Sequence, residues 1–352
     1  MIIFIIPHHL VGGAERVHAE IVKAVGTLKR IVILFDYTDS SPVSQDFDDF
    51  TYITIGKSKL KRVVCMVSIV LLSWILPLTI FGCNSYFFFK LLSLVHKKTV
   101  TIDLTHAFSF PDPGIEDYAK HYVPLITKRV VINRRTLDDY WSQYLKEGID
   151  LRYMQRFQII PNGVNINNFD EELIQKRYRD FTIGYVGRFS LEKRPELFLA
   201  LSRKRYSFQC SAKMISDRFD ASILDYPDLN LIIGVNDPAR IRTEFSMISV
   251  LIITSIREGF PLVIMEAMEL GIPVISTNVG SIQEHVINDF NGYVADAYDS
   301  EAFLDFCYQK IDLLANNEKL YSDIANNARQ YAVKKFNIED MRKAYKRLFI
   351  DA

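Results

Sequence analysis

A buried strand that runs through a glycine-proline turn straight into a helix leaves few folds open, and residues 250–276 read that way. Val250-Leu251-Ile252-Ile253-Thr254-Ser255 is short, apolar and β-branched, the pattern of a strand covered on both faces. Gly259-Phe260-Pro261 is a loop, and Leu262-Val263-Ile264-Met265 begins a helix. Pro261 suits the first helical turn, where its missing N–H costs nothing. Gly271-Ile272-Pro273 ends the helix, and Pro273-Val274-Ile275-Ser276 opens the next strand. This is the repeating unit of an open parallel α/β sheet, whose ligands sit beyond the carboxyl ends of the strands, near helix N-termini. Two carboxylates frame the turn. Glu258 lies in it, and Glu266 follows about two helical turns on, able to accept two hydrogen bonds from a diol such as a ribose. Two acids alone would equally well be solvated helix-end groups. The Gly-Phe-Pro and Gly-Ile-Pro punctuation around them favours a site.

The same grammar runs along the chain. Ile2–Ile6 reads as an opening buried strand, followed by Pro7-His8-His9-Leu10-Val11-Gly12-Gly13 and a helix to about Leu28. Gly12 and Gly13 let the backbone approach a ligand closely at a helix N-terminus. Strands read again at Ile31–Phe35, Thr51–Ile55, Thr99–Leu104 and Arg129–Asn133, with a polar loop over Asp36–Asp49. His106 stands just past a strand end, with Asp103 and Asp112 as nearby alternatives and a plain loop at Pro111–Gly114. Thr136 reads as the N-cap of a helix to Gly148. Pro161-Asn162-Gly163-Val164 carries the turn signals of a linker. Beyond it, Thr182–Val186 is a strand, then come Gly187, Arg188 and Lys193, and a helix entered near Pro195. Two cations at a strand end, over a helix N-terminus, suit a diphosphate. Arg194 is a third charge. The bland reading of all three is a solvated basic patch.

Glu-Gly-Phe-Pro-Leu-Val-Ile-Met-Glu-Ala-Met, residues 258–268, closely resembles the signature of family 4 glycosyltransferases, retaining enzymes of the GT-B fold. The resemblance reaches the Gly12-Gly13-Ala14-Glu15 loop, the Pro161–Val164 passage and the Gly187-Arg188…Glu192-Lys193 pattern, and is strong from about 183 to 294. It implies an α/β protein of two Rossmann-like parallel-sheet domains facing each other across a cleft. Residues 1–163 would bind the acceptor and 164–335 the nucleotide-sugar, and residues 336–352 would form a helix crossing back to the first domain. It implies catalytic roles for His106, Glu258, Arg188 and Lys193. The implied donor site comprises Gly12, Gly13, Gly187, Arg188, Lys193, Glu258, Gly259, Phe260, Pro261, Leu262 and Glu266, with Glu258 at the sugar hydroxyls and Glu266 at the ribose. The chain departs from the family at Gln209–Ile215, where a strand ending in a glycine-rich turn is expected after Phe208. It departs again at Gly280-Ser281, where the family often has Gly-Gly.

Composition bounds partners rather than fold. Of 352 residues, Lys plus Arg and Asp plus Glu are 42 each, so bulk charge favours neither nucleic acid nor an acidic substrate. The balance hides a split: residues 1–165 hold 19 basic and 15 acidic side chains, the remainder 23 and 27. The first half is the one suited to an anionic surface. Its basic run Lys57–Arg62 precedes an uncharged stretch, residues 63–83, then Tyr86–Phe89 and Leu91-Leu92. By length 63–83 qualifies as a membrane span. A simple span would separate the strands before residue 60 from those after 99, and Pro77 and Gly82 interrupt a straight helix. The segment 57–98 therefore reads as helices dipping into a membrane face, with Lys57, Lys59, Lys61, Arg62 and Lys90 drawn to anionic headgroups. The alternative is a buried crossover helix. Cys65, Cys83, Cys210 and Cys307 form no C-x-x-C pair and read as free thiols in a reducing compartment, without a zinc site. Residues 1–6 are too short for a signal peptide.

The resemblance and these features together imply a hexosyltransferase. It would move a hexose or N-acetylhexosamine from a nucleotide-sugar, UDP-sugar favoured, to a lipid-linked oligosaccharide for a bacterial surface polysaccharide. It would work in the cytoplasm, peripherally at the inner face of the plasma membrane, and would contact no nucleic acid. The Asp48-Asp49 and Asp138-Asp139 pairs read as loop and helix acids, so no metal and no cofactor are expected. The competing readings are a nucleotide-sugar epimerase of GT-B fold, a soluble transferase with a small acceptor, and a non-catalytic membrane-associated binding protein.

Overall fold

The computed structural model describes residues 1–7, 12–26, 31–35, 47, 49–56, 58–109, 113–219, 226, 228–235, 237–296 and 299–351. The expectations at residues 8–11, Leu28, most of 36–49, Lys57, Pro111 and Asp112 fall outside them. The chain forms two units, residues 1–163 with 339–352, and residues 164–338.

In the first unit the described elements run β1 (Ile2–Ile6), α1 (Gly13–Gly26), β2 (Ile31–Phe35), β3 (Tyr52–Thr54), α2 (Lys59–Ile75), β4 (Thr79–Cys83), α3 (Tyr86–Leu92), β5 (Val100–Thr105), α4 (Ile115–Ala119), β6 (Lys128–Val131), α5 (Arg134–Glu147) and β7 (Phe157–Ile159). The strands pair in parallel in the order β3-β2-β1-β4-β5-β6-β7. β1 is Ile-Ile-Phe-Ile-Ile with every residue buried, because helices cover both faces of a parallel sheet.

The uncharged stretch is not one helical segment. α2 ends before Pro77, and Thr79–Cys83 turns into the strand beside β1. Gly82, expected to interrupt a helix, instead makes room within β4: a Cβ there would lie 2.2 Å from the Phe88 ring. α2 buries only Ile69 and Ser73, so it is not a buried crossover helix either. Among the described residues no helix is long and apolar enough to cross a membrane. At α5 the cap is Asn133, not Thr136: its extended backbone lets its side chain accept from Thr136 N at 2.8 Å. Asp103 is no site residue. In the β5–β6 register it stands opposite Arg129, and the two form a buried pair at 2.8 Å, with the Tyr144 hydroxyl on the same guanidinium.

The second unit runs α6 (Glu172–Arg179), β8 (Thr182–Val186), α7 (Pro195–Ser202), β9 (Ser211–Ser216), β10 (Leu229–Ile233), α8 (Pro238–Ser246), β11 (Val250–Ile253), α9 (Leu262–Glu269), β12 (Val274–Thr277), β13 (Gly292–Ala295), α10 (Ser300–Ala315) and α11 (Glu318–Lys335). Its parallel order is β10-β9-β8-β11-β12-β13. The strand sought near Phe208 forms three residues later as β9, and Asp217 rather than glycine follows it. Two apolar clusters fill this unit, one including Phe198, Tyr293 and Tyr321, the other including Ile264, Met268 and Phe336.

The last helix, α12 (Ile338–Ile350), belongs almost wholly to the first unit. Phe349 packs on Phe4 and Phe81 with ring centroids 5.7 and 5.9 Å away, and Arg342 pairs with Glu20 of α1. In both sheets the strand order reverses once between central strands, at β1/β4 and at β8/β11. Such switch points leave a crevice at the carboxyl ends of the strands, where open α/β sheets bind ligands.

Candidate functional site

At the β8/β11 switch point the two strand-end loops are laced together. Ile256 N donates to the Glu192 carbonyl at 2.9 Å, Arg194 Nε to the Thr254 carbonyl at 2.7 Å, and Thr254 Oγ1 to the Lys193 carbonyl at 2.5 Å. Arg194 thus ties the two loops through its Nε, and its left-handed backbone, φ 45°, turns the chain into α7. Lys193 is carried by this frame to Glu258. Its Nζ lies 2.5 Å from Glu258 Oε1, and Ser255 Oγ donates to the same oxygen at 2.7 Å. Both partners of the pair are largely covered. Arg188, on the loop after β8, points instead to Glu192 at 2.6 Å and stays 62% exposed. The Tyr185 hydroxyl holds the Arg188 carbonyl, and Asp217 accepts from Phe189 N at 3.0 Å. Neither α7 nor α9 has a side-chain N-cap.

Gly280 fixes the position of Glu258. It has φ 60°, and a Cβ there would lie 2.2 Å from the Glu258 carbonyl oxygen and 2.5 Å from that of Gly259. Ser281 closes the contact, its N and Oγ both donating to the Gly259 carbonyl at 2.9 Å. Pro261 proves to be the N-cap of α9, one residue before the helix. Glu266 is consequently the fifth helical residue, little more than a turn in rather than two turns, and it is half-buried. The Phe260 ring is 5% exposed and packs against His285 and Phe336, so it anchors the loop and leaves any ligand contact to its backbone. Gly187, Gly259, Pro261 and Leu262 stay partly accessible around the pair. Nothing in the residue pattern marked Asp217. Ser255, three residues before Glu258, was legible only as a strand-end hydroxyl.

In the first unit Gly12 and Gly13 open α1 after β1, with Arg16 N donating to the Gly12 carbonyl. His106, just past β5, is half-buried, and its Nε2 lies 3.3 Å from Nε2 of His18 on α1. Burial pushes His106 down to about 4 and holds His18 well below the ordinary histidine range, with His106 adding to the effect. Burial thus favours the neutral form of both imidazoles, and one of the two rings donates its N–H to the other. Cys83, at the end of β4, completes a group of three whose ligand atoms all lie within 4.8 Å of one another. Burial raises its thiol pKa. The cysteine spacing had pointed away from any such group, because its other two members come from distant elements. Asp138 and Asp139 lie on α5, paired with Arg134 and Arg135.

Residues 224–331 match the model of the family described as glycosyl transferases group 1. The capsular polysaccharide biosynthesis glycosyltransferase CapM of Staphylococcus aureus is 28% identical over 194 residues, 50% of this chain and 49% of that protein. The UDP-Gal:alpha-D-GlcNAc-diphosphoundecaprenol alpha-1,3-galactosyltransferase of Escherichia coli is 25% identical over 219 residues, 56% of this chain and 54% of that protein. The chain thus spans about half the length of these curated relatives. The solved structure of Anabaena Alr3699/HepE in complex with UDP aligns with a TM-score of 0.76 at 16% identity, over 100% of both chains. The fold is GT-B. Within this GT-B chain the matched segment contains Glu258, Glu266 and Gly280, while Arg188 and Lys193 reach the same switch point from the loop after β8.

Proposed function

We propose that this GT-B protein is a retaining, metal-independent family 4 glycosyltransferase. It moves a hexose or N-acetylhexosamine from a UDP-sugar to a lipid-linked glycan during surface-polysaccharide synthesis. The observation that carries this reading is the Lys193–Glu258 pair held at the β8/β11 switch point. Without donor, each side chain occupies the other. With donor, the ammonium turns to the diphosphate and the carboxylate to the sugar hydroxyls, so one ligand takes both partners. Arg188 leaves Glu192 and joins Lys193. As the anomeric carbon–oxygen bond breaks, charge grows on the leaving diphosphate, and these cations stabilise the transition state more than the ground state. The acceptor hydroxyl attacks from the same face and passes its proton to the leaving phosphate oxygen, which gives retention without a protein nucleophile. The UDP complex of the Anabaena relative and the UDP-Gal and diphosphoundecaprenol in the name of the Escherichia coli enzyme favour this donor and acceptor class.

The exposed face of α2 supports an acceptor held at a membrane. Leu60, Val63, Val64, Val67, Leu71, Trp74 and Ile75 recur at helical spacing, yet all are exposed: Leu60 by 74%, Trp74 by 68%, Ile75 by 73%. An apolar stripe of this size turned to solvent is an interaction surface. Lys59 and Lys61 flank its start, and exposed Lys97 and Lys98 lie beside its end, where His96 stacks edge-on against Trp74. Apolar stripe and lysines together match an anionic bilayer, with the helix lying in the interface. The protein is then peripheral at the inner face of the plasma membrane.

The test is thermal shift with UDP, GDP, ADP and their sugars, with and without EDTA, followed by transfer to a diphosphoundecaprenol-linked sugar and assignment of the product anomer. A shift by UDP alone, unaffected by EDTA and lost in Arg188→Ala/Lys193→Ala, followed by a retained anomer, supports the reading. Conversion of the donor sugar without acceptor would instead identify an epimerase. An inverted anomer would overturn the mechanism, and no nucleotide shift at all would favour the binding protein.

A further inference from the structure

We infer that His18, Cys83 and His106 form a Zn(II) site at the β1/β4 switch point of the first unit, separate from the transfer chemistry proposed above. The three ligand atoms come from α1, the end of β4 and the turn after β5, and lie within 4.8 Å of one another. β4 and β5 are adjacent in parallel register, with Cys83 beside Leu104, so the sheet itself sets the thiol next to the His106 turn. The two Nε2 atoms face each other 3.3 Å apart. A tetrahedral zinc with Zn–N bonds of about 2.0–2.1 Å holds two nitrogens about 3.3 Å apart, and a thiolate about 3.5 Å from each. The imidazoles already stand at that spacing, and a cysteine rotamer adjustment brings in the sulfur.

The wider surroundings agree. His18 is buried, and its Nδ1 has no hydrogen-bond partner among the described residues. Ligation through Nε2 gives the nitrogen that faces His106 an ion in place of a second imidazole, while Nδ1 keeps the ring proton. Two imidazoles and one thiolate suit a borderline-soft ion such as zinc, and the set leaves a fourth coordination position. His106 is half-buried and keeps some accessible surface, which leaves an ion a way in. Binding releases the Cys83 thiol proton to solvent and ties α1 to the ends of β4 and β5. No oxidation or reduction is involved.

The test uses the full chain, stripped with chelator and titrated with Co(II) as a spectroscopic stand-in for Zn(II), with metal content read by mass spectrometry. One ion per chain is expected. It should give a thiolate-to-cobalt charge-transfer band and the strong d–d bands of four-coordinate cobalt, both displaced by Zn(II). Cys83→Ser abolishes the charge-transfer band, and His18→Gln weakens binding by at least about 100-fold, more than is usual for an outer-shell change. Cys65→Ser/Cys210→Ser, which removes the two less buried thiols, leaves the spectrum unchanged. The inference is overturned if folded wild-type chain gives no such spectrum, the cluster then being a hydrogen-bonded histidine pair beside a buried thiol. It is equally overturned if the band survives Cys83→Ser and disappears in Cys65→Ser/Cys210→Ser. Neither result bears on UDP binding, whose failure is read separately by the nucleotide shifts.

Discussion

Replacing Gly280 by alanine tests whether the loop after β12 holds Glu258 in place. Two costs add. The backbone at Gly280 has φ 60°, a conformation that costs an L-residue about 1–2 kcal/mol. The new methyl would also sit 2.2 Å from the Glu258 carbonyl oxygen and 2.5 Å from that of Gly259. Ordinary carbon–oxygen contact begins at about 3.3 Å, so the 258–259 backbone must retreat by about 1 Å. Crowding of that kind costs about 1–3 kcal/mol. Gly234→Ala separates the two costs, because Gly234 has φ 59° in the same unit and a Cβ there meets nothing within 4 Å. At about 2–4 °C per kcal/mol for a unit of this size, Gly280→Ala should lower the thermal midpoint by about 10 °C and Gly234→Ala by about 4 °C. A 1 Å displacement of Glu258 pulls it from Lys193 and Ser255, and misplacement on that scale costs about 10²-fold in turnover. Scanning calorimetry and a UDP-release assay read both effects. If the two variants melt together, or if Gly280→Ala keeps full turnover, Gly280 does not position the site.

Three further outcomes are expected. Lys193→Ala should reduce turnover about 10²–10³-fold, the usual cost of one oriented donor at a developing charge. Its fold, checked by circular dichroism, should stay intact, since the Lys193 carbonyl, which Thr254 holds, remains. Leu71→Glu/Trp74→Glu on the exposed face of α2 should abolish sedimentation with phosphatidylserine vesicles without shifting the thermal midpoint, because both side chains face solvent. Acid should weaken the first unit through His106. Its pKa falls from 6.5 in the unfolded chain to about 4 in the folded one, so below pH 6.5 the unfolded chain binds a proton that the folded chain refuses. With chelator present, urea unfolding of wild type should therefore lose up to about 1.4 kcal/mol per pH unit relative to His106→Gln, between pH 6.5 and about 4. Parallel curves for the two proteins would show that His106 is not held neutral by the fold.

Much of the second unit was legible because its signals are local. The strand at Val250–Ile253, the turn at Gly259–Pro261 and the stop at Gly271 each depend on a few neighbouring residues. So do the strand before Gly187 and the helix entered at Pro195. The first unit was harder to read. Residues 63–83 are apolar throughout, and such a run does not say where a helix ends and a buried strand begins. Pro77 marks the break, but only pairing with β1 makes Thr79–Cys83 a central strand.

The alternation of strand and helix, the glycine turns and the two carboxylates at 258 and 266 can be read along the chain, since they follow from backbone preference and burial pattern. Which of those residues meet depends on how distant parts of the chain pack. Lys193 reaches Glu258 across 65 positions, and His18 reaches His106 across 88, because strands distant in sequence become neighbours at a switch point. The same packing turned the Phe260 ring inward and the α2 stripe outward. A periodic pattern fixes that a helix has an apolar face, but only the packing of the rest of the chain fixes whether that face is covered.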